Sequence, residues 1–193
     1  MSEQRTLSQL LYEIPVLEMS GSSNVLISSI EFDSRKVTPG SLFVATTGTN
    51  ADGHQFVDSA ISLGAVAVLC ERFPEQLQST ICYVKVEKST RALGQLAAAW
   101  YDFPSSKLSL VGVTGTNGKT TIATLLYEVF RGLGYKCGLI STVVNYIDTL
   151  PVEATHTTPD ALSLNHLMSE MADAGCDYVF MEVSSHSVEQ GRI

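Results

Sequence analysis

Between Val113 and Ile122 the chain reads Thr114-Gly115-Thr116-Asn117-Gly118-Lys119-Thr120-Thr121, a set of residue types able to hold a polyphosphate. Two glycines let the backbone turn tightly and aim its N–H groups at an anion, and a helix starting there adds about half a positive charge at its N-terminus. Lys119 has the length to reach the outer phosphates, and the Thr120 hydroxyl is a suitable ligand for Mg²⁺. Gly115, Thr116, Asn117, Gly118, Lys119, Thr120 and Thr121 are therefore the ATP-binding candidates, with Lys119 also the catalytic one. The pattern departs by one place from Gly-x-x-x-x-Gly-Lys-Ser/Thr, because Val113 stands where the first glycine belongs and Gly112 is one residue too early. A plainer reading makes it an ordinary turn, with Thr116 or Asn117 capping the next helix and Lys119 solvated.

Glu182 is the second chemically conspicuous residue. It interrupts the apolar run Tyr178-Val179-Phe180-Met181 and Val183, where a carboxylate gains nothing from burial unless it is paired or coordinated. A metal ligand satisfies that requirement, and a strand-end surface carboxylate is the alternative. Ser185-His186 has the residue types of a hydrolase dyad. No Gly-x-Ser-x-Gly surrounds it, and adjacent residues on a continuing strand would face opposite ways, which argues against serine nucleophile chemistry.

Strand-like and helix-like runs alternate around these residues, favouring an α/β fold. In the first half, strands are expected at Ser28–Phe32, Leu42–Ala45, Ala65–Cys70 and Cys82–Val86. Helices are expected through Phe56, Ile61 and Leu63 to a stop at Gly64, and over Thr90–Trp100. Asp102 to Lys107, with Pro104, then reads as a linker, giving domains 1–103 and 104–193. The second half opens with a buried strand, Leu108–Val113, before the glycine loop. A helix carrying Ile122, Leu125, Leu126, Val129, Phe130 and Leu133 follows, capped by Gly134. A strand at Cys137–Ser141, a helix from Asp160 to Ala174 ending at Gly175, and a strand at Tyr178–Val183 complete the pattern.

Composition agrees with a compact protein: 193 residues, 45% hydrophobic and 17% charged. The formal net charge of -8 argues against nucleic acid or an anionic membrane as partner. Cys70, Cys82, Cys137 and Cys176 are widely spaced in or beside apolar runs, so reduced buried thiols are expected. No apolar run is long enough to span a membrane and no export signal stands at the start, so the reading is cytoplasmic.

At the glycine loop the sequence resembles the Mur ligase family, whose phosphate loop reads Thr-Gly-Thr-Asn-Gly-Lys-Thr-Thr, the missing first glycine being the family's own variant. The resemblance continues through Asp33-Ser34-Arg35, Gly40-Ser41-Leu42-Phe43-Val44-Ala45, Gly48, Asp52-Gly53-His54 and Phe56. Thr157-Thr158-Pro159-Asp160 and Met181-Glu182-Val183-Ser184-Ser185-His186, with Gln190 and Arg192, are most similar to its tripeptide-synthetase branch. It implies a small N-terminal α/β uridine-nucleotide-binding domain followed by the first part of a P-loop, Rossmann-like central ATP-binding domain.

The same resemblance implies that Phe32, Ser34, Thr49, Asn50 and Ala51 contact the uridine nucleotide. His156, Thr157, Thr158, Ser184, Gln190 and Arg192 would contact the muramoyl peptide, and Thr120 and Glu182 would bind Mg²⁺. Independently of it, Asp33-Ser34-Arg35 follows a strand, where loops present ligand-binding groups, and Arg35 offers a bidentate phosphate donor or a plain surface pair with Asp33. Thr157 and Thr158 could also cap the helix near Asp160, with Pro159 in its first turn. His54 reads as a loop residue and His166 as a helix-surface one.

The implied reaction joins a diamino acid, meso-diaminopimelate or L-lysine, to UDP-N-acetylmuramoyl-L-alanyl-D-glutamate at the expense of ATP, through an acyl phosphate. Family members continue beyond the position of Ile193 with a carbamylated lysine, a metal-binding histidine and the amino-acid pocket, so this chain by itself is expected to be inactive. The alternatives are another amide ligase of the superfamily, or a non-catalytic nucleotide-binding module.

Overall fold

The computed structural model describes residues 4–48, 52–154 and 159–189. The chain divides into two compact units, Met1–Leu96 and Ala97–Ile193.

The first unit opens with β1 (Arg5–Thr6), α1 (Leu7–Leu10), β2 (Glu18–Ser20), β3 (Leu26–Ile27) and β4 (Ser29–Glu31). After a 3-10 turn at Ser34–Lys36 come β5 (Ser41–Val44), a second 3-10 turn at Gly53–Phe56, α2 (Val57–Ser62), β6 (Ala67–Cys70) and β7 (Cys82–Lys85). Helix α3 (Ser89–Trp100) carries the chain across the division. The main sheet has the order β2-β7-β6-β5-β4, parallel except for β2. Its central strands are continuous apolar runs because both faces are covered. Phe43, Val68 and Tyr83 join Val57 and Ala60 of α2 in one core, while their alternates Leu42, Val44, Leu69 and Val84 are equally buried. The short elements before Ser29 were not legible as strands, since two or three residues carry no periodicity.

The second unit begins with Asp102 and Phe103, both in the left-handed region, and a 3-10 turn at Pro104–Lys107. It continues through β8 (Ser109–Val113), α4 (Lys119–Gly132), β9 (Cys137–Ile140), β10 (Val144–Ile147), β11 (Leu150–Glu153), α5 (Ala161–Asp173), β12 (Tyr178–Glu182) and α6 (Ser185–Glu189). The sheet order is β11-β10-β9-β12-β8, with β9, β12 and β8 parallel and the β10–β11 hairpin antiparallel. Helices cover both faces, and β12 shows the alternation that this requires. Phe180 packs with Ala123 and Tyr127 of α4, whereas Val179 and Met181 pack with Leu164, Met168 and Met171 of α5.

Several expectations are corrected. Strand β8 is the edge of its sheet rather than a buried strand, leaving Leu110 and Val111 exposed. The expected helix is there as α4, with Leu126 and Phe130 facing the core, while Ile122, Leu125 and Val129, and Leu133 just beyond its end, are solvent-exposed. Helix α5 is capped by Asp160, whose carboxylate accepts from the N–H groups of Leu162 and Ser163, so Pro159 precedes the cap instead of lying in the first turn. Strand β12 stops at Glu182. Ser185 and His186 lie on α6, so the expected opposition of strand faces does not apply to them.

The four cysteines are free and buried, and burial pushes the Cys70 and Cys137 thiols up to about 11. Among the described residues no helix is long and apolar enough to cross a membrane.

Candidate functional site

In the second unit the parallel strands β9, β12 and β8 all end on the same side of the sheet, where ligands of open α/β sheets characteristically sit. Thr114 to Gly118 follows β8 directly, and Glu182 ends β12 in register with Val113, the last residue of β8. Ser141 and Thr142 follow β9, so three strand ends deliver side chains to one place.

The loop has the conformation that only its glycines permit without strain. Gly115 has φ +149° and Gly118 φ +81°; space for a Cβ exists at both, so backbone conformation is what selects glycine. Gly118 is the N-cap of α4 and no side chain caps the helix. Neither Thr116 nor Asn117 takes the capping role of the plainer reading, so among the described residues the start of α4 carries no side-chain cap. Lys119 is not simply solvated either: its Nζ donates to the Gly115 carbonyl at 2.8 Å, folding the ammonium across the loop.

Glu182 is 1% exposed and held by hydroxyl and amide donors. Thr120 Oγ1 donates to Oε2 at 3.0 Å, Thr142 Oγ1 to Oε2 at 3.1 Å, and the Thr142 N–H to Oε1 at 2.9 Å. The structure therefore brings together Lys119, Thr120 and Glu182, the phosphate and metal candidates, around one loop. Thr142 went unrecognised in the sequence, because an isolated threonine after an apolar strand carries no signal without its partner 40 residues away.

Ser184 turns the chain into α6, its Oγ accepting the Ser187 N–H at 3.1 Å. Thr49, Asn50, Ala51, His156, Thr157, Thr158, Gln190 and Arg192 lie outside the described residues.

In the first unit Phe32 and Ser34 follow β4, with Asp33 capping the turn at Ser34–Lys36. The Arg35 guanidinium closes on Asp33 through two bonds of 2.9 and 2.7 Å, holding that carboxyl down at about 2. The side chain of Arg35 is otherwise in solvent. His54, read as a loop residue, has a buried ring. Its Nε2 accepts from the Glu71 N–H at 3.0 Å, so Nδ1 carries the proton donated to Asp52 at 2.6 Å. Asp52 also pairs with Arg72, and Glu71 accepts from the Ser89 N–H and hydroxyl and from Thr47. His166 lies on the surface of α5, against Tyr101 and near Glu170.

Comparison with known proteins gives two matching profiles, the Mur ligase family catalytic domain over residues 26–101 and the Mur ligase middle domain over residues 113–193. The chain belongs to the Mur ligase family. It is 59% identical over 181 residues to the UDP-N-acetylmuramoyl-L-alanyl-D-glutamate–2,6-diaminopimelate ligase of Parabacteroides distasonis, covering 94% of this chain and 37% of that one. The enzyme of that name numbered 1 in Clostridium acetobutylicum is 40% identical over 193 residues, which is all of this chain and 39% of the relative. A solved structure of such a ligase aligns with a TM-score of 0.76 at 26% identity, over 98% of this chain and 38% of its own. A MurF structure from Acinetobacter baumannii shares the fold, with a TM-score of 0.59 at 23% identity. The chain thus spans less than two fifths of the length of these curated relatives.

Proposed function

We propose that the chain is the nucleotide-binding part of an ATP-dependent ligase that joins meso-diaminopimelate to UDP-N-acetylmuramoyl-L-alanyl-D-glutamate in peptidoglycan synthesis. The observation that carries the reading is the Thr120–Glu182 hydrogen bond beside an uncapped, glycine-shaped loop. The identity of 40–59% to curated diaminopimelate ligases supports the choice of substrate and amino acid.

A carboxylate resists attack by an amine, and phosphorylation gives it a leaving group. In this reading the loop N–H groups and Lys119 hold the ATP phosphates, Lys119 exchanging the Gly115 carbonyl for a phosphate oxygen and drawing charge from the transferring group. Thr120 and Glu182 offer oxygen donors of the kind Mg²⁺ prefers and would hold it. Bound there, Mg²⁺ would supply charge neutralisation on the phosphates. In the first unit, Phe32 and Ser34, with Thr49, Asn50 and Ala51, would receive the uridine nucleotide. His156, Thr157, Thr158, Ser184, Gln190 and Arg192 would contact the peptide end of the substrate.

Calorimetric titration of MgATP into the wild type and into Lys119→Ala and Thr120→Ala proteins tests the reading. Lys119→Ala is expected to lower affinity by about tenfold or more, the scale of a lost charge-assisted hydrogen bond. Thr120→Ala is expected to abolish most of the Mg²⁺ dependence. Wild-type affinity in both variants would refute the assignment.

A further inference from the structure

Both carboxylate oxygens of Glu182 accept hydrogen bonds from a residue to which the proposed reaction gives no role. Thr142 reaches both of its oxygens, by its amide to Oε1 at 2.9 Å and by its hydroxyl to Oε2 at 3.1 Å, whereas Thr120 reaches only Oε2. A glutamate has three side-chain torsions, and two donors from one backbone position fix the carboxylate plane in a way a single bond cannot.

Thr142 is itself held by a built turn. The neighbouring Ser141 is 2% exposed; its N–H donates to Asn145 Oδ1 at 3.0 Å and its hydroxyl to the Val144 carbonyl at 2.6 Å. The same hydroxyl oxygen accepts from the N–H groups of Val143 and Val144, at 3.4 and 3.3 Å. The position of Thr142 is thus set by the junction of β9 and β10, independently of the glycine loop.

We propose that Thr142 is the positioning residue of the cation site, orienting Glu182 so that its carboxylate meets the divalent ion accompanying the nucleotide. The inference rests on the nucleotide reading above. The two threonines divide the labour. Thr120 sits at the start of α4 and must place its own oxygen against the ion, so the direction of its bond to Glu182 is tied to the state of the loop. Thr142 hangs from the sheet and keeps the carboxylate aimed whether or not nucleotide is present. Groups that orient metal ligands in this way typically change metal affinity by about 10–100-fold when removed.

The test uses the 193-residue chain with Thr142→Val, which keeps the amide bond and loses the hydroxyl, and Thr142→Ser, which keeps both. ATP affinity is measured by calorimetry in EDTA and at graded Mg²⁺, and Mn²⁺ binding in the presence of ATP by electron paramagnetic resonance. Thr142→Val is expected to bind ATP in EDTA as the wild type does and to bind Mn²⁺ about tenfold more weakly, with Thr142→Ser restoring wild-type behaviour. Circular dichroism reports folding; should the valine protein not fold, Thr142→Ala is put through the same comparison. Wild-type Mn²⁺ affinity in a folded valine or alanine variant, with Lys119→Ala still weakening ATP, overturns the role of Thr142 alone. Absence of any Mg²⁺-dependent ATP binding by the wild type overturns the nucleotide reading and this inference with it.

Discussion

Asp52 shows how a single residue can be tied to a pH window. Its hydrogen bonds from the His54 ring and backbone, and then its pairing with Arg72, bring its carboxyl from the ordinary 3.8 to about 2. A carboxyl depressed by folding contributes stability that is fully present above its unfolded value, and that contribution is lost as pH falls through the folded one. Acid unfolding of the wild type should therefore steepen between about pH 4 and pH 2. Asp52→Asn is expected to be less stable at neutral pH and to lose less across that window, as followed by urea titration at a series of pH values. An unchanged slope would mean that the pair with His54 adds nothing to folding. This network was only partly legible. Asp52-Gly53-His54 stood out, but nothing in the spacing tied the histidine to the Glu71 amide 17 residues away.

At the scale of elements, β10 and β11 show what a sequence conceals. The hairpin turns at Asp148 and Thr149 with Asp148 at φ +49°, and Asp-Thr lacks the glycine by which such turns are usually recognised. Pro151 further disguises β11, a proline being tolerated there because the strand is the sheet edge. A buried tyrosine fastens the hairpin: Tyr127 Oη donates to the Asp148 carbonyl at 2.6 Å and its ring stacks on Tyr146. Tyr127→Phe is expected to cost about 1 kcal/mol, the usual net worth of such a bond, in chemical denaturation, and to raise amide exchange in the hairpin. A loss of exchange protection spread evenly over the unit would contradict the local anchoring.

The same scale separates what α4 and β12 reveal in the sequence. The apolar residues of α4 recur every three or four positions as a core stripe would, yet Leu125 is 61% exposed and Leu133, just beyond the helix, 69%, because the apolar side chains of the helix that join the core beneath it are Ala123, Leu126, Tyr127 and Phe130. Periodicity reports helicity; it does not report how wide a face the neighbouring layer covers. Strand β12 was legible because an unbroken apolar run ending in a carboxylate matches a strand covered on both faces with its end at a polar site.

For the molecule as a whole, the alternation of strands and helices and the glycine stops at Gly64, Gly134 and Gly175 were readable in advance, and all three take left-handed conformations. The strand order was not, since β12 inserts between β8 and β9 through pairing that no local pattern encodes. That insertion brings Glu182 beside Thr120, 62 residues earlier, and the functional reading depends on this meeting. The most direct measurement is a titration of the ¹⁵N-labelled chain with MgATP, followed through its backbone amide resonances. The account predicts that the largest shifts fall on Gly115 to Thr121 and on Thr142, saturate together, and vanish at the same concentrations in Lys119→Ala. Saturable shifts centred elsewhere, or no saturable shift at the loop, would contradict it.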